Sequence, residues 1–180
     1  MTKQATTAAL IWTTVLGTAA IFGSYYFACV FPFAAIATIA VMTLDTPRGL
    51  ALVGGTWLAN QVVGFTLMNY PTTLDTFALG VSLGLGAVAA WGVARLILGS
   101  TATILSAQTI MALGGAFAAY QVTIFAGALM FGGTENFTPT IIAGVALNDA
   151  IWFAGLVALR LALTRAAPAM FGGERNALPA

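Results

Sequence analysis

The chain has 180 residues, of which 60% are hydrophobic and only 6% charged, with a net charge of +1. A soluble domain carries about 25% charged residues to cover its surface, so a water-soluble body of this size is excluded. The near-zero net charge gives no basis for a nucleic-acid partner.

A single cysteine, Cys29, excludes an intrachain disulfide and any CxxC metal or redox pair. Histidine is absent, which removes the commonest ligand for haem, copper and catalytic zinc, and the commonest general base. No cofactor and no metal site is expected. Several apolar runs reach the length that spans a bilayer. The expected fold class is therefore all-α: a polytopic integral membrane protein forming one transmembrane domain over residues 1–180, embedded in a lipid bilayer.

Residues 5–44 are apolar almost throughout, interrupted by Gly23-Ser24 and Pro32. One helix of that length would reach roughly 60 Å, twice the hydrocarbon thickness. A hairpin of segments at about 5–22 and 25–44 fits better, with its turn at Gly23-Ser24 and interfacial Tyr25 and Tyr26. A turn at Pro32 is the alternative, and leaves a second piece too short to span comfortably. The apolar run after Lys3 is longer than a signal peptide's.

Asp45-Thr46-Pro47-Arg48-Gly49 reads as a loop, with Pro47 suited to open the third segment, about 49–69. Tyr70-Pro71 ends that segment. The fourth covers about 74–98 and stops at Gly99-Ser100. The fifth lies within 102–131, closed by Gly132-Gly133, and the sixth runs from about 140 to 163. Six spans put both termini on one side. Lys3, Arg48, Arg95, Arg160, Arg165 and Arg175 all fall on that side, and Asp75 and Glu135 on the other. Positive residues mark the cytoplasm, so both ends are expected to be cytoplasmic, in a membrane of the bacterial cytoplasmic type.

Small residues recur every four positions. The sixth segment carries Ala146, Ala150, Ala154, Ala158 and Ala162; the fourth carries Ser82, Gly86, Ala90 and Ala94; the third, Ala51, Gly55 and Ala59; the first, Ala5 and Ala9. Such faces let helix backbones approach closely. They serve packing within the bundle, or one face, on the first or sixth segment, docks another membrane subunit.

A polar set interrupts this apolar background. Asp149 lies about 15 Å into the sixth segment from its outer end, and Asn60 and Gln61 lie a similar distance into the third. Trp57 precedes Asn60 by three positions and Gln61 by four. Trp152 follows Asp149 by three and Asn148 by four, so each indole shares a helix face with the polar pair. A carboxylate at that depth costs a few kcal/mol unless it faces a partner or a wet cavity. Trp57, Asn60, Gln61, Asn148, Asp149 and Trp152 together would form a pocket for a polar, flat organic ligand. The competing reading is helix-to-helix glue, at about 0.6 kcal/mol per contact. Gln108 and Gln121 read as packing contacts, and Gly132–Asn136 as a solvated turn. Cys29 reads as an apolar filler, with a thiolate ligating a soft metal in a bound cofactor as the alternative.

Enzyme chemistry is not expected. Lys3 is the only lysine and lies at the terminus, so no lysine or histidine base is at hand for a serine nucleophile. Asp149 alone among the carboxylates falls in a span, and intramembrane aspartyl proteolysis needs two. A proton relay needs several titratable groups across the membrane, and one is present.

About 180 residues, six spans, cytoplasmic ends and the small-residue opening Ala5-Thr6-Thr7-Ala8-Ala9, with its AxxxA spacing, resemble the substrate-binding S-component of energy-coupling factor vitamin importers. The resemblance covers the whole chain as architecture. It implies a membrane-embedded subunit that binds a vitamin-like small molecule from outside, nearer the outer face than the midplane. It also implies a shared membrane subunit gripping the first segment, and two cytoplasmic ATPases. The absence of GxxxxGK[ST] from this chain fits that division of labour. The rival expectation is a non-catalytic accessory or assembly subunit of a larger membrane complex.

Overall fold

The computed structural model describes residues 3–26, 31–99 and 106–171, together with the side chains of 6–8, 10–19 and all described residues after 30. Every regular element among them is helical. The elements are α1 (Lys3–Tyr26), α2 (Phe33–Thr43), α3 (Thr46–Thr66), α4 (Leu74–Leu98) and α5 (Ala107–Phe131). A single 3₁₀ turn (Thr134–Asn136), α6 (Pro139–Ala166) and the one-turn α7 (Pro168–Phe171) follow. Among the described residues, α4, α5 and α6 are long and apolar enough to cross a membrane. The apolar stretch Thr6–Ala19 of α1 and the whole of α2 are shorter.

The first hairpin differs from expectation. α1 runs through Gly23-Ser24 to Tyr26, so the turn expected at that pair is not there; α2 begins directly after Pro32, and residues 27–30 lie outside the described residues. In hydrocarbon a broken turn strands backbone N–H and C=O groups, which outweighs the roughly 1 kcal/mol cost of a helical glycine. Pro32 does set a boundary: it has no N–H to donate, and its carbonyl accepts the first helical bond of α2 from Ile36 N at 3.0 Å. The second span expected at 25–44 is therefore an 11-residue helix. Its length of about 16 Å is half the hydrocarbon thickness. Cys29 and the Ser100 stop signal lie outside the described residues, as do the side chains of Ala5 and Ala9.

α2 is buried on every face from Phe33 to Ala40. Its sequence, Phe-Ala-Ala-Ile-Ala-Thr-Ile-Ala, has no polar stripe to turn outward, as expected of a helix at the centre of a bundle. Its one hydroxyl there, Thr38, is satisfied locally by the Ala34 carbonyl at 2.8 Å. α2 packs against α3, α4, α5 and α6, while α1 packs against α3 and α7. At the C-terminal end of α2, Trp12 of α1 donates its indole N–H to Thr43 Oγ1 at 2.9 Å.

The remaining boundaries follow their caps. α3 begins at Thr46, three residues earlier than expected, because the Asp45 side chain accepts from Arg48 N at 3.1 Å. The same carboxylate holds Arg48 Nη1 at 2.7 Å. α5 begins at Ala107 behind the cap Ser106, which accepts from Thr109 N at 3.2 Å. Gly132 and Gly133, at φ 91° and 99°, end α5 in a conformation that favours glycine. Thr138 caps α6, with Pro139 in its first turn.

The small-residue stripes sort into two kinds. On α4, Ser82, Gly86, Ala90 and Ala94 are all buried. There α4 and α5 lie at close range: a methyl at Gly86 would meet Tyr120 at 2.9 Å and Ile124 at 3.2 Å, and one at Gly127 would overlap Ser82. The α6 stripe points the other way. Ala150, Ala154, Ala158 and Ala162 are exposed, and Gly144 and Gly155 beside them have open space where a methyl would go. On α3, Ala51 and Gly55 are exposed as well.

Candidate functional site

Asp149 is the charged-type side chain buried most deeply among the described residues, at 2% exposure. It leaves α6 toward the first turn of α2. Ala35 N donates to Asp149 Oδ1 at 2.8 Å, and the Ala34 N–H faces the same carboxyl. The first N–H groups of any helix lack an intrahelical acceptor. Pro32, in the N-cap position, offers no side-chain acceptor. α2 begins inside the bundle, buried from solvent on every face, so its acceptor comes from elsewhere in the chain. A residue 114 positions away supplies it. The carboxyl also sits at the positive end of the helix dipole, a favourable place for an acidic group.

One carboxyl oxygen is thereby used. The other, Oδ2, is buried and has no hydrogen-bond partner. The same helix start meets Tyr120 of α5, which is buried as well. The Tyr120 ring packs on Phe33 of α2, with centroids 5.5 Å apart. Phe31 packs on Phe33 in turn at 4.5 Å. The surroundings are thus an aromatic wall, a helix N-terminus and one carboxyl oxygen able to accept from an N–H or O–H group.

The other expected site residues divide between two places. Trp57 donates its indole N–H to the Gly80 carbonyl of α4 at 2.8 Å. Its ring lies over Gly84, where an added methyl would come within 2.8 Å of Cε2. Gln61 leans on Gly80 in the same way, and its Nε2 is buried without a partner. Trp57 and Gln61 therefore belong to an α3–α4 seam. Asn60 is buried one position away. Asn148 and Trp152 flank Asp149 on α6, half-buried, and each is engaged in an interaction; Trp152 packs against the core. α3 and α6 each pack closely on α2.

The partner of Asp149 was therefore missed by residue-type reasoning, because it is backbone. Phe33, Tyr120 and the Ala34 and Ala35 N–H groups carry no polar signature in the sequence. One signal was available: Pro32 inside an apolar run implies a helix start at membrane depth, and such a start needs an acceptor. Gln108 is exposed and Gln121 half-buried, both on α5. Among the described residues no cluster of three or more Cys, Asp or Glu side chains could hold a metal ion. Neither a family model, nor a curated protein, nor a solved structure matches this chain.

Proposed function

We propose that the chain is a membrane-embedded binding subunit for uptake of a small, vitamin-like organic molecule, energised by partner subunits. In this reading the chain crosses a bacterial cytoplasmic membrane six times with both ends cytoplasmic, the short α2 standing in the place of the second span, and it performs no catalysis of its own. The observation that carries this reading is the buried, unpartnered Oδ2 of Asp149 at the start of a helix half as long as the membrane is thick. Discontinuous helices that begin near the midplane are where membrane transporters build their solute sites. An ionisable group held at such depth is functional by default. A solute with an N–H or O–H group would complete the carboxyl, its flat part lying against Phe33 and Tyr120. In this reading Trp57 and Gln61 support the site from the α3–α4 seam, and Asn148 and Trp152 border it.

Native mass spectrometry of the purified wild type and Asp149→Asn tests the proposal. Asparagine keeps an acceptor for Ala35 N but converts the free oxygen into a donor. A small molecule retained by the wild type and lost from the variant supports the site. Retention by both, or by neither, rejects it.

A second reading, an accessory or assembly subunit with no ligand, is favoured by a different observation. The α6 face formed by Ala150, Ala154 and Ala158 is exposed and smooth. In lipid such faces serve helix-to-helix contact, since no hydrophobic effect drives association there. Under the importer reading this face and the AxxxA opening at Ala5 and Ala9 are where other membrane subunits would bind. Under the accessory reading docking is the whole function. Co-purification of a membrane partner without any small molecule selects the accessory reading.

A further inference from the structure

At the opposite end of α6 from its cap, a second buried polar group is left incomplete. Arg160 is 6% exposed. Its guanidinium lies over the Trp12 ring of α1 at 5.2 Å and the Phe171 ring of α7 at 5.3 Å. Nη2 donates to the Phe171 carbonyl at a long 3.4 Å, and Nε is buried with no partner. A guanidinium carries five N–H donors and stays charged.

No carboxylate among the described residues neutralises it. Of the five acidic residues, Asp45 pairs with Arg48 and Asp75 lies in the first turn of α4. Glu135 lies in the 3₁₀ turn before α6. Asp149 caps α2 from eleven positions back along α6, about 16 Å away. Only Glu174 remains, beyond the described residues. Two aromatic faces and a carbonyl stabilise a cation but do not cancel its charge, and a buried, unpaired charge is costly.

We infer that Arg160, clamped between Trp12 and Phe171, is the base of an oxyanion site whose occupant is a phosphate group. The planar fork of a guanidinium matches phosphate oxygens, and the clamp fixes its orientation before the anion arrives. Arg165, exposed in the last turn of α6, adds a second positive charge at the same end of the helix. Basic pockets between membrane helices near the headgroup layer hold phospholipid phosphates by this chemistry. Free inorganic phosphate offers the same oxygens.

The test uses the full-length chain purified in detergent, with intrinsic-fluorescence unfolding and native mass spectrometry as readouts. Phosphatidylglycerol, phosphatidylcholine and inorganic phosphate are added separately to the wild type, Arg160→Gln, Arg160→Lys and Glu174→Gln. The expected result is that phosphatidylglycerol raises the wild-type melting temperature and is retained through delipidation. Arg160→Gln should reduce that retention about tenfold or more, the loss of one charge-assisted bond, with Arg160→Lys between the two. Stabilisation by inorganic phosphate alone assigns the occupant to the free anion; stabilisation by phosphatidylglycerol alone assigns it to a lipid. If neither shifts the wild type, the inference fails on that arm even should Arg160→Gln not fold. Equal retention by wild type and Arg160→Gln overturns it too. So does a wild type indifferent to both anions whose stability falls equally with Glu174→Gln and Arg160→Gln, which would place the countercharge within the chain.

Discussion

Removing the carboxyl of Asp149 separates what it does for the fold from what it does for a ligand. In Asp149→Ala, the Ala35 N–H that now donates at 2.8 Å faces a methyl group in a place buried from bulk solvent. An orphaned buried donor costs about 1–3 kcal/mol. Loss of the acidic group at the α2 N-terminus adds about 1 kcal/mol from the helix dipole. Oδ2, buried without a partner, is itself unfavourable in the wild type, and its removal offsets part of that sum. A net destabilisation of about 2–3 kcal/mol remains. Asp149→Asn retains an amide oxygen for Ala35 but turns the free carboxyl oxygen into an amide donor, so about 1 kcal/mol is expected. The order wild type, Asp149→Asn, Asp149→Ala is checked by urea unfolding in mixed micelles, with hydrogen exchange at Phe33–Ile36 as the local readout. Exchange there should quicken most in the alanine variant. An alanine variant as stable as the wild type, with α2 amides equally protected, would refute the capping account.

Two further outcomes follow from the helix seams. Gly84→Ala places a methyl 2.8–3.1 Å from three atoms of the Trp57 indole. It should destabilise by about 1–3 kcal/mol and shift the Trp57 emission as its bond to Gly80 is strained. Gly114→Ala, where a methyl meets open space, should be neutral or slightly stabilising by helix propensity; equal effects in the two unfolding curves would contradict the α3–α4 packing. Ala154→Leu on the exposed face of α6 should leave the melting temperature of the isolated chain within about 2 °C, since surface changes stay within about ±0.5 kcal/mol. The same change should reduce recovery of membrane partners from solubilised cells. Unchanged recovery removes that face from any docking surface.

The amino-acid sequence by itself determined the membrane-like character of the chain and its later helical segments, though not the first hairpin. Gly and Pro punctuation between apolar runs placed α4 at residues 74–98 as expected, and the caps Asp45, Ser106 and Thr138 moved other boundaries by only a few positions. Burial of Asp149 was legible too, because a carboxyl in an apolar helix must turn inward.

Tertiary structure alone decided what it turns toward. A side-chain pattern shows which residues need partners, yet the partner here is the backbone of a helix started by Pro32. Backbone donors are the same in every sequence and become available only where a helix begins. The direction of the small-residue stripes was undecided for a related reason. Helices that are apolar all round have no polar face to mark their outside, so four-residue spacing reads the same on α4, where it is buried, and on α6, where it is exposed.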